Sequence, residues 1–139
     1  MSESPHTLVN PETLGPPAGF SHAVVAAPGR FVFLGGQTAH GPDGRLRGAT
    51  LVEQFEETCH SVVRALDAVG ARPEHLVQIL IYVTDAEDYR RNLGPIGAAW
   101  RGAFGHHYPA AGLFEVAGLF DPGAKVELVC VAVVPEEAP

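Results

Sequence analysis

The sequence predicts an α+β domain with the element order β-β-α-β-α-β-β and both helices on one face of a single sheet. Three observations predict it: apolar residues at helical spacing behind Thr50 and Glu53, strict alternation in HLVQILIYVT, and a final run, KVELVCVAVV, that is apolar at almost every position. With 139 residues, 46% hydrophobic and 18% charged, the chain has the make-up of one globular domain spanning residues 1–139, without linker or repeat.

The first 17 residues, with prolines at 5, 11, 16 and 17, read as an extended N-terminal arm. Two β-rich runs follow at 22–27 and 30–36, and Pro28-Gly29 between them has the signature of a hairpin turn. Gly41-Pro42-Asp43-Gly44 is a second turn. Thr50 and Glu53 form a capping-box pattern that opens the first helix. Leu51, Phe55, Cys59, Val62, Leu66 and Val69 make its apolar stripe, Glu53, Glu56, Glu57, His60, Arg64 and Asp67 its solvated face, and Gly70 its left-handed end.

In the strand at 75–84, Val77, Ile79, Ile81 and Val83 share the face toward the helices, and Gln78, Leu80, Tyr82 and Thr84 the other. An Asp85 cap begins a second helix with Tyr89, Leu93, Ile96, Trp100 and Phe104 on its apolar side. Pro95 lacks a backbone donor and crowds the preceding turn, which predicts a kink or two shorter helices meeting near Gly94. Two more strands, 111–119 and 125–134, are joined by Asp121-Pro122-Gly123.

The last strand is apolar on both faces. Val126, Leu128, Cys130, Ala132 and Val134 form one side, and Lys125, Glu127, Val129, Val131 and Val133 the other. A sheet with helices on one side has a use for a second apolar face only where another subunit covers it, so the sequence predicts an obligate oligomer. Glu127 then lies in or beside a subunit contact, where a carboxylate needs a partner, water or a function. The residues alone leave open a structural ion pair with an Arg of the next chain.

Nine basic residues against sixteen acidic give a net charge of −7, and Lys125 is the sole lysine. Nucleic-acid affinity depends on clustered cations, so no nucleic-acid partner is expected. No segment approaches the ~20 apolar residues of a membrane span, and the first residues lack the basic and apolar regions of a leader. Cys59 and Cys130 form no C-x-x-C, which fits a reducing compartment; the expected location is the cytoplasm. Both thiols are expected to be inert packing groups. Gly35-Gly36 lacks the G-x-G-x-x-G spacing, and His106-His107 diverge without a third ligand, so neither cofactor nor metal is expected.

Six short motifs, in order and at this spacing, carry a resemblance from about Gly19 to Val134. They are Phe33-Leu34-Gly35-Gly36-Gln37, GATLVEQ at 48–54, Val83-Thr84-Asp85, Tyr108-Pro109-Ala110, Glu115-Val116-Ala117 and Lys125-Val126-Glu127. The chain resembles the Rid, or YjgF-like, family of reactive imine and enamine deaminases. The resemblance implies chorismate-mutase-like subunits in a homotrimer around a central barrel, with small-molecule clefts between neighbours. In deaminating members an Arg after Pro-Ala clamps the substrate carboxylate, and an acidic residue of the last strand activates water.

Carried over, Glu127 is the catalytic candidate, and Phe20, His22, Gly36, Gln37, Tyr108, Ala111 and Leu113 are the substrate-binding candidates. Ala111 stands where the Arg would be, and Phe20 where the family often has Tyr; this resembles the subgroups that lack the Arg. The second helix looks about one turn longer than the family pattern, which bears on whether Asn92 matches the family's cleft asparagine. Losing a charge-assisted pair worth roughly 1.5 to 3 kcal/mol predicts poor turnover of simple 2-imino acids. Three readings follow: an enzyme acting on a neutral or differently anchored imine, enamine or related carbonyl compound, with His22 or His106-His107-Tyr108 shaping polarity; a non-catalytic ligand-binding or regulatory trimer; and an endoribonuclease, which the charge opposes.

Overall fold

Residues 3–136 are described by this computed structural model; residues 1–2 and 137–139, the ends of the predicted domain and arm, lie outside the described residues. In chain order the elements are β1 (Thr7–Val9), β2 (Ala23–Val25), β3 (Gly29–Phe33), α1 (Leu51–Ala68), β4 (Leu76–Val83), α2 (Ala86–Arg91), α3 (Leu93–Phe104), β5 (Ala110–Glu115) and β6 (Val126–Pro135). One sheet has the order β3-β6-β4-β5, and β1 and β2 form a separate pair. Because β3 and β4 both run antiparallel to β6, they are parallel to each other, and β4 is parallel to β5. Thus α1 and α2-α3 are both crossovers between parallel strands that advance the same way across the sheet. Crossovers of one hand then fall on one face, as predicted.

Helix α1 begins as its sequence dictates. Glu53 N donates to Thr50 Oγ1 at 3.2 Å, and Thr50 N to Glu53 Oε1 at 3.1 Å. The end is a Schellman turn: Gly70 has φ +73°, its N–H bonds Asp67 O, and Ala71 N bonds Leu66 O. Val69, expected in the apolar stripe, is the cap residue and is exposed. Phe55, Cys59, Val62 and Leu66 pack with Ile96, Trp100 and Phe104 of α3 over Ile79, Ile81, Val126 and Leu128. Both thiols are free in this core, and burial pushes Cys130 up to about 12 and Cys59 upward too, so neither is a nucleophile.

The expected hairpin of 22–27 with 30–36 does not form. β2 pairs with the arm, Thr7 opposite Val25 and Val9 opposite Ala23, while β3 pairs with β6, Phe31 opposite Val133. Pro28-Gly29 is therefore no hairpin turn. A Cβ at Gly29 would stand 2.8 Å from the Val134 carbonyl carbon, so this glycine permits close approach of β6. The arm is pinned by His6, whose Nε2 donates to the carbonyls of Val133 (2.9 Å) and His75 (3.1 Å) and whose Nδ1 accepts from Ala27 N (3.0 Å).

Three further differences have local causes. A register shift between Leu76 and Gln78 takes Val77 off the helix-facing side, and Leu76 is buried instead. The second helix breaks at Asn92, whose side-chain amide donates to Asp88 O at 2.7 Å. Pro95 then falls within the first turn of α3, where no backbone donor is needed, so it causes no clash. Finally, β5 ends at Glu115 rather than at 119: Val116 N makes the last bond to β4, to Val83 O at 2.8 Å, and the Glu115 carboxylate accepts Ala86 N at 2.9 Å.

Gln54, 2% exposed, ties the front of α1 to the approach to β6. Its amide nitrogen donates to the carbonyls of Gly48 (3.2 Å) and Gly123 (3.0 Å), and its oxygen accepts Lys125 N (2.8 Å). Gln54→Leu removes all three bonds and leaves buried backbone groups unpaired. The expected outcome is a loss of about 1 to 3 kcal/mol, measured as a lower urea midpoint with unchanged m-value.

Candidate functional site

Strand register decides which candidates meet. Glu127 lies opposite Tyr82, and Tyr82 opposite Phe114, so these three share the sheet face that carries no helices. The Tyr82 and Phe114 rings stack at 5.5 Å. Gly36 and Gln37 reach the same place: Gln37 N donates to Leu128 O at 2.8 Å and Leu128 N returns to Gln37 O at 2.9 Å. This stitch sets the Gly-Gly-Gln turn against Glu127. A Cβ at position 36 would stand 2.7 Å from Glu127 Cδ, so the glycine makes the space in which the carboxylate rests. The Gln37 side chain folds back onto Gly35 O at 3.1 Å. Among the described residues no side chain or backbone N–H donates to the half-buried Glu127 carboxylate.

A second grouping lies under the arm. Ser21 Oγ donates to Tyr108 O at 2.6 Å and Ser21 N to Pro109 O at 3.1 Å, which holds Phe20 beside Tyr108. Phe20, Tyr108, Trp100, Tyr89, Leu93 and Arg101 line an open cleft of about 700 Å³. Trp100 and Tyr108 stack at 6.1 Å. Burial pushes the Tyr89 phenol up to about 12, so it stays a neutral group. His22 meets Phe20 edge-on at 5.1 Å, with Nε2 2.6 Å from Gly15 O and its backbone N donating to Asn10 Oδ1. Its ring is thus held by the arm.

Ala111 lies opposite Ile79 and Leu113 opposite Ile81, on the helix-facing side of β5. One chain therefore unites Glu127 with Gly36 and Gln37, and Phe20 with Tyr108 and His22, but leaves Ala111 and Leu113 on the face opposite Glu127. The His106-His107-Tyr108 run does not act as one polar unit. His107 is buried, its Nε2 2.8 Å from Leu76 O and its carbonyl accepting Trp100 Nε1 at 3.1 Å, whereas His106 is exposed.

Several polar groups have no sequence signal because their partners are distant. Thr38 Oγ1 lies 2.6 Å from His40 Nδ1, and His40 Nε2 2.8 Å from Asp121 Oδ2, 81 residues away. The Gly123 N–H and His40 hold the Asp121 carboxyl below the usual range. This chain fastens the turn before β6. Among the described residues no group of three or more His, Cys, Asp or Glu could hold a metal ion, and no helix is long and apolar enough to cross a membrane.

Residues 11–134 match the family model described as Endoribonuclease L-PSP. The chain belongs to this family. The conserved Rid-family protein YyfB from Yersinia pestis, of unknown function, is 31% identical, with 93% of this chain and 98% of that one covered and a TM-score of 0.81. A member of the YjgF/YER057c/UK114 family from Mycobacterium tuberculosis is 28% identical, with 93% and 99% covered and a TM-score of 0.62. Protein MMF1, mitochondrial, of Saccharomyces cerevisiae is 24% identical over 119 residues, 85% of this chain and 79% of that protein. The motif resemblance to the Rid family is thereby borne out, as is the mixed α+β fold. The name of the yeast relative places it in the mitochondrion, so kinship lends no support to a cytoplasmic location.

In this L-PSP family member, burial holds His107 below its ordinary value of 6.5. The unfolded chain then binds more protons than the folded one as pH falls through that value, so stability is full above about 6.5 and drops below it. His75 is lowered for the same first reason. His107→Gln should reduce the loss of stability between about pH 7.5 and about pH 5, read from urea midpoints, while the slope due to His75 remains.

Proposed function

We propose that this Rid-like protein acts as a homotrimer with small-molecule clefts between subunits, in which Glu127 is the acid/base for hydrolysis or conversion of an imine, enamine or related carbonyl compound other than a simple 2-imino acid. The observation that carries this reading is the Glu127 carboxylate: half-buried, without a donor among the described residues, and set in a space that only glycine at position 36 leaves open. An ion pair would have used up that charge. The assembly is supported by Phe31 and Phe33, 68% and 75% exposed beside the half-buried Val129 and Val131 on the same sheet face. A neighbouring copy on that face would also bring its own residues to Glu127, which supplies the convergence that one chain lacks.

For an imine, Glu127 takes a proton from water as the water oxygen bonds to the imine carbon and the C=N π electrons pass to nitrogen, and the carboxylic acid hands that proton to the nitrogen. The carboxylate then takes the hydroxyl proton of the carbinolamine and delivers it to the same nitrogen as the C–N bond breaks, releasing ammonia and leaving the carbonyl. Ala111 offers a methyl group and cannot grip a carboxylate, which directs the site away from simple 2-imino acids. A ligand-binding or regulatory trimer is the second reading, and Ala111 is the residue that favours it. The RNA-directed activity in the family's description is opposed by the net charge of −7 and the single lysine.

The test is steady-state hydrolysis of a panel of imines generated in solution. Glu127→Gln is expected to lower turnover by about two or more powers of ten on whichever substrate is used. Ala111→Arg is expected to raise turnover of simple 2-imino acids by roughly one to two powers of ten. Unchanged turnover in Glu127→Gln across the panel contradicts the acid/base role and leaves the ligand-binding reading.

A further inference from the structure

The cleft beneath the arm has an unusual charge pattern. Arg101 is the one charged residue among those lining it, and apart from Asn10, whose Oδ1 accepts His22 N, the rest are aromatic, aliphatic or small. Arg101 lies one turn after Gly97 on α3, and its guanidinium folds back along the helix: Nη1 is 3.1 Å from where a Cβ of residue 97 would stand. Gly97 itself lines the cleft, so the charge lies against the cleft wall. Among the described residues Arg101 forms no ion pair and no side-chain hydrogen bond. Arg30, Arg45, Arg47 and Arg91 likewise form no ion pair among the described residues, so what sets Arg101 apart is its place in the cleft lining.

We infer that this cleft is a binding site for a small molecule with an aromatic or bulky apolar body and a single carboxylate, and that Arg101 is its anion anchor. A volume of about 700 Å³ suits such a ligand. The Trp100-Tyr108 stack and the Phe20 ring offer flat apolar walls, and a guanidinium at the rim can bind a carboxylate through two parallel hydrogen bonds. A monoanion matches the single positive charge; with no second cation in the lining, a phosphate dianion would be left half-compensated. On the other side of Arg101 a neighbouring cleft carries Glu3, which repels anions and favours the aromatic side. The site shares Phe20 and Tyr108 with the cleft proposed above but requires neither Glu127 nor a second copy. Anchoring a carboxylate from α3 rather than from position 111 selects ligands longer than a simple 2-imino acid.

Trp100 is the only tryptophan and lines the cleft, so its fluorescence reports occupancy directly. The test titrates the wild-type protein, Arg101→Met and Arg101→Lys with hydrocinnamate and with its uncharged amide. The expected result is a saturable change in Trp100 emission, with hydrocinnamate binding roughly ten-fold tighter than the amide. Arg101→Met should abolish that ratio without altering amide binding, since the Met side chain keeps the apolar stem, and Arg101→Lys should keep part of it. Equal affinity for acid and amide, unchanged hydrocinnamate binding in Arg101→Met, or no saturable change in the wild type would overturn the inference. The titration needs no turnover, whereas the Glu127 proposal is read by turnover alone, so either can fail without the other.

Discussion

Strand β6 is hydrogen-bonded on both sides, to β3 and to β4, so each of its residues faces either the helices or the opposite side of the sheet. The chain provides helices for only one of those sides. On the other, Val129 and Val131 of β6 stand with Phe31 and Phe33 of β3, and burying one such aromatic ring is worth roughly 1.5 to 3 kcal/mol. The apolar character of that face is the constraint from which much else follows. It accounts for a strand without polar alternation, for the oligomer in the proposed function, and for a carboxylate at residue 127 that lies at the border of an apolar surface.

The helix-covered side is organised by a few polar ties rather than by packing alone. Gln54 joins the start of α1 to the segment before β6, Asp121 is held by His40 and Gly123, and Glu115 meets the first turn of α2. All three act on the connections around the end of β6 where Glu127 lies. The arm, pinned by His6 to Val133, acts at the far end of the same strand and forms one wall of the aromatic cleft. Several motifs that marked the family therefore have structural roles: GATLVEQ supplies the capping box and Gln54, and Glu115 supplies a cap.

Elements governed by local chemistry were legible in the sequence. The capping box at Thr50, the Schellman glycine at 70, the Asp85 cap and the interruption before Pro95 all depend on residues within a few positions of one another. Pairings that depend on distant chain were not. Pro28-Gly29 has the composition of a turn, but the competition between a local hairpin and pairing with β6 is decided by Phe31 against Val133 and by the approach at Gly29. The displacement of Val77 by Leu76 comes from a bulge that alternation alone does not reveal. At the candidate site, Glu127, Gly36 and Gln37 were named together through the family pattern and do meet. Arg101 was not, because nothing in its sequence surroundings signals that Gly97 leaves it room or that no acidic partner reaches it.

The central claim is that the face carrying Phe31 and Phe33 is covered by neighbouring copies of the same chain. Sedimentation equilibrium at micromolar concentration tests it most directly. The expected result is a single species of three times the 14.7 kDa chain mass, shifting toward the monomer when Phe33→Asp is introduced. A wild-type species of 14.7 kDa would contradict it.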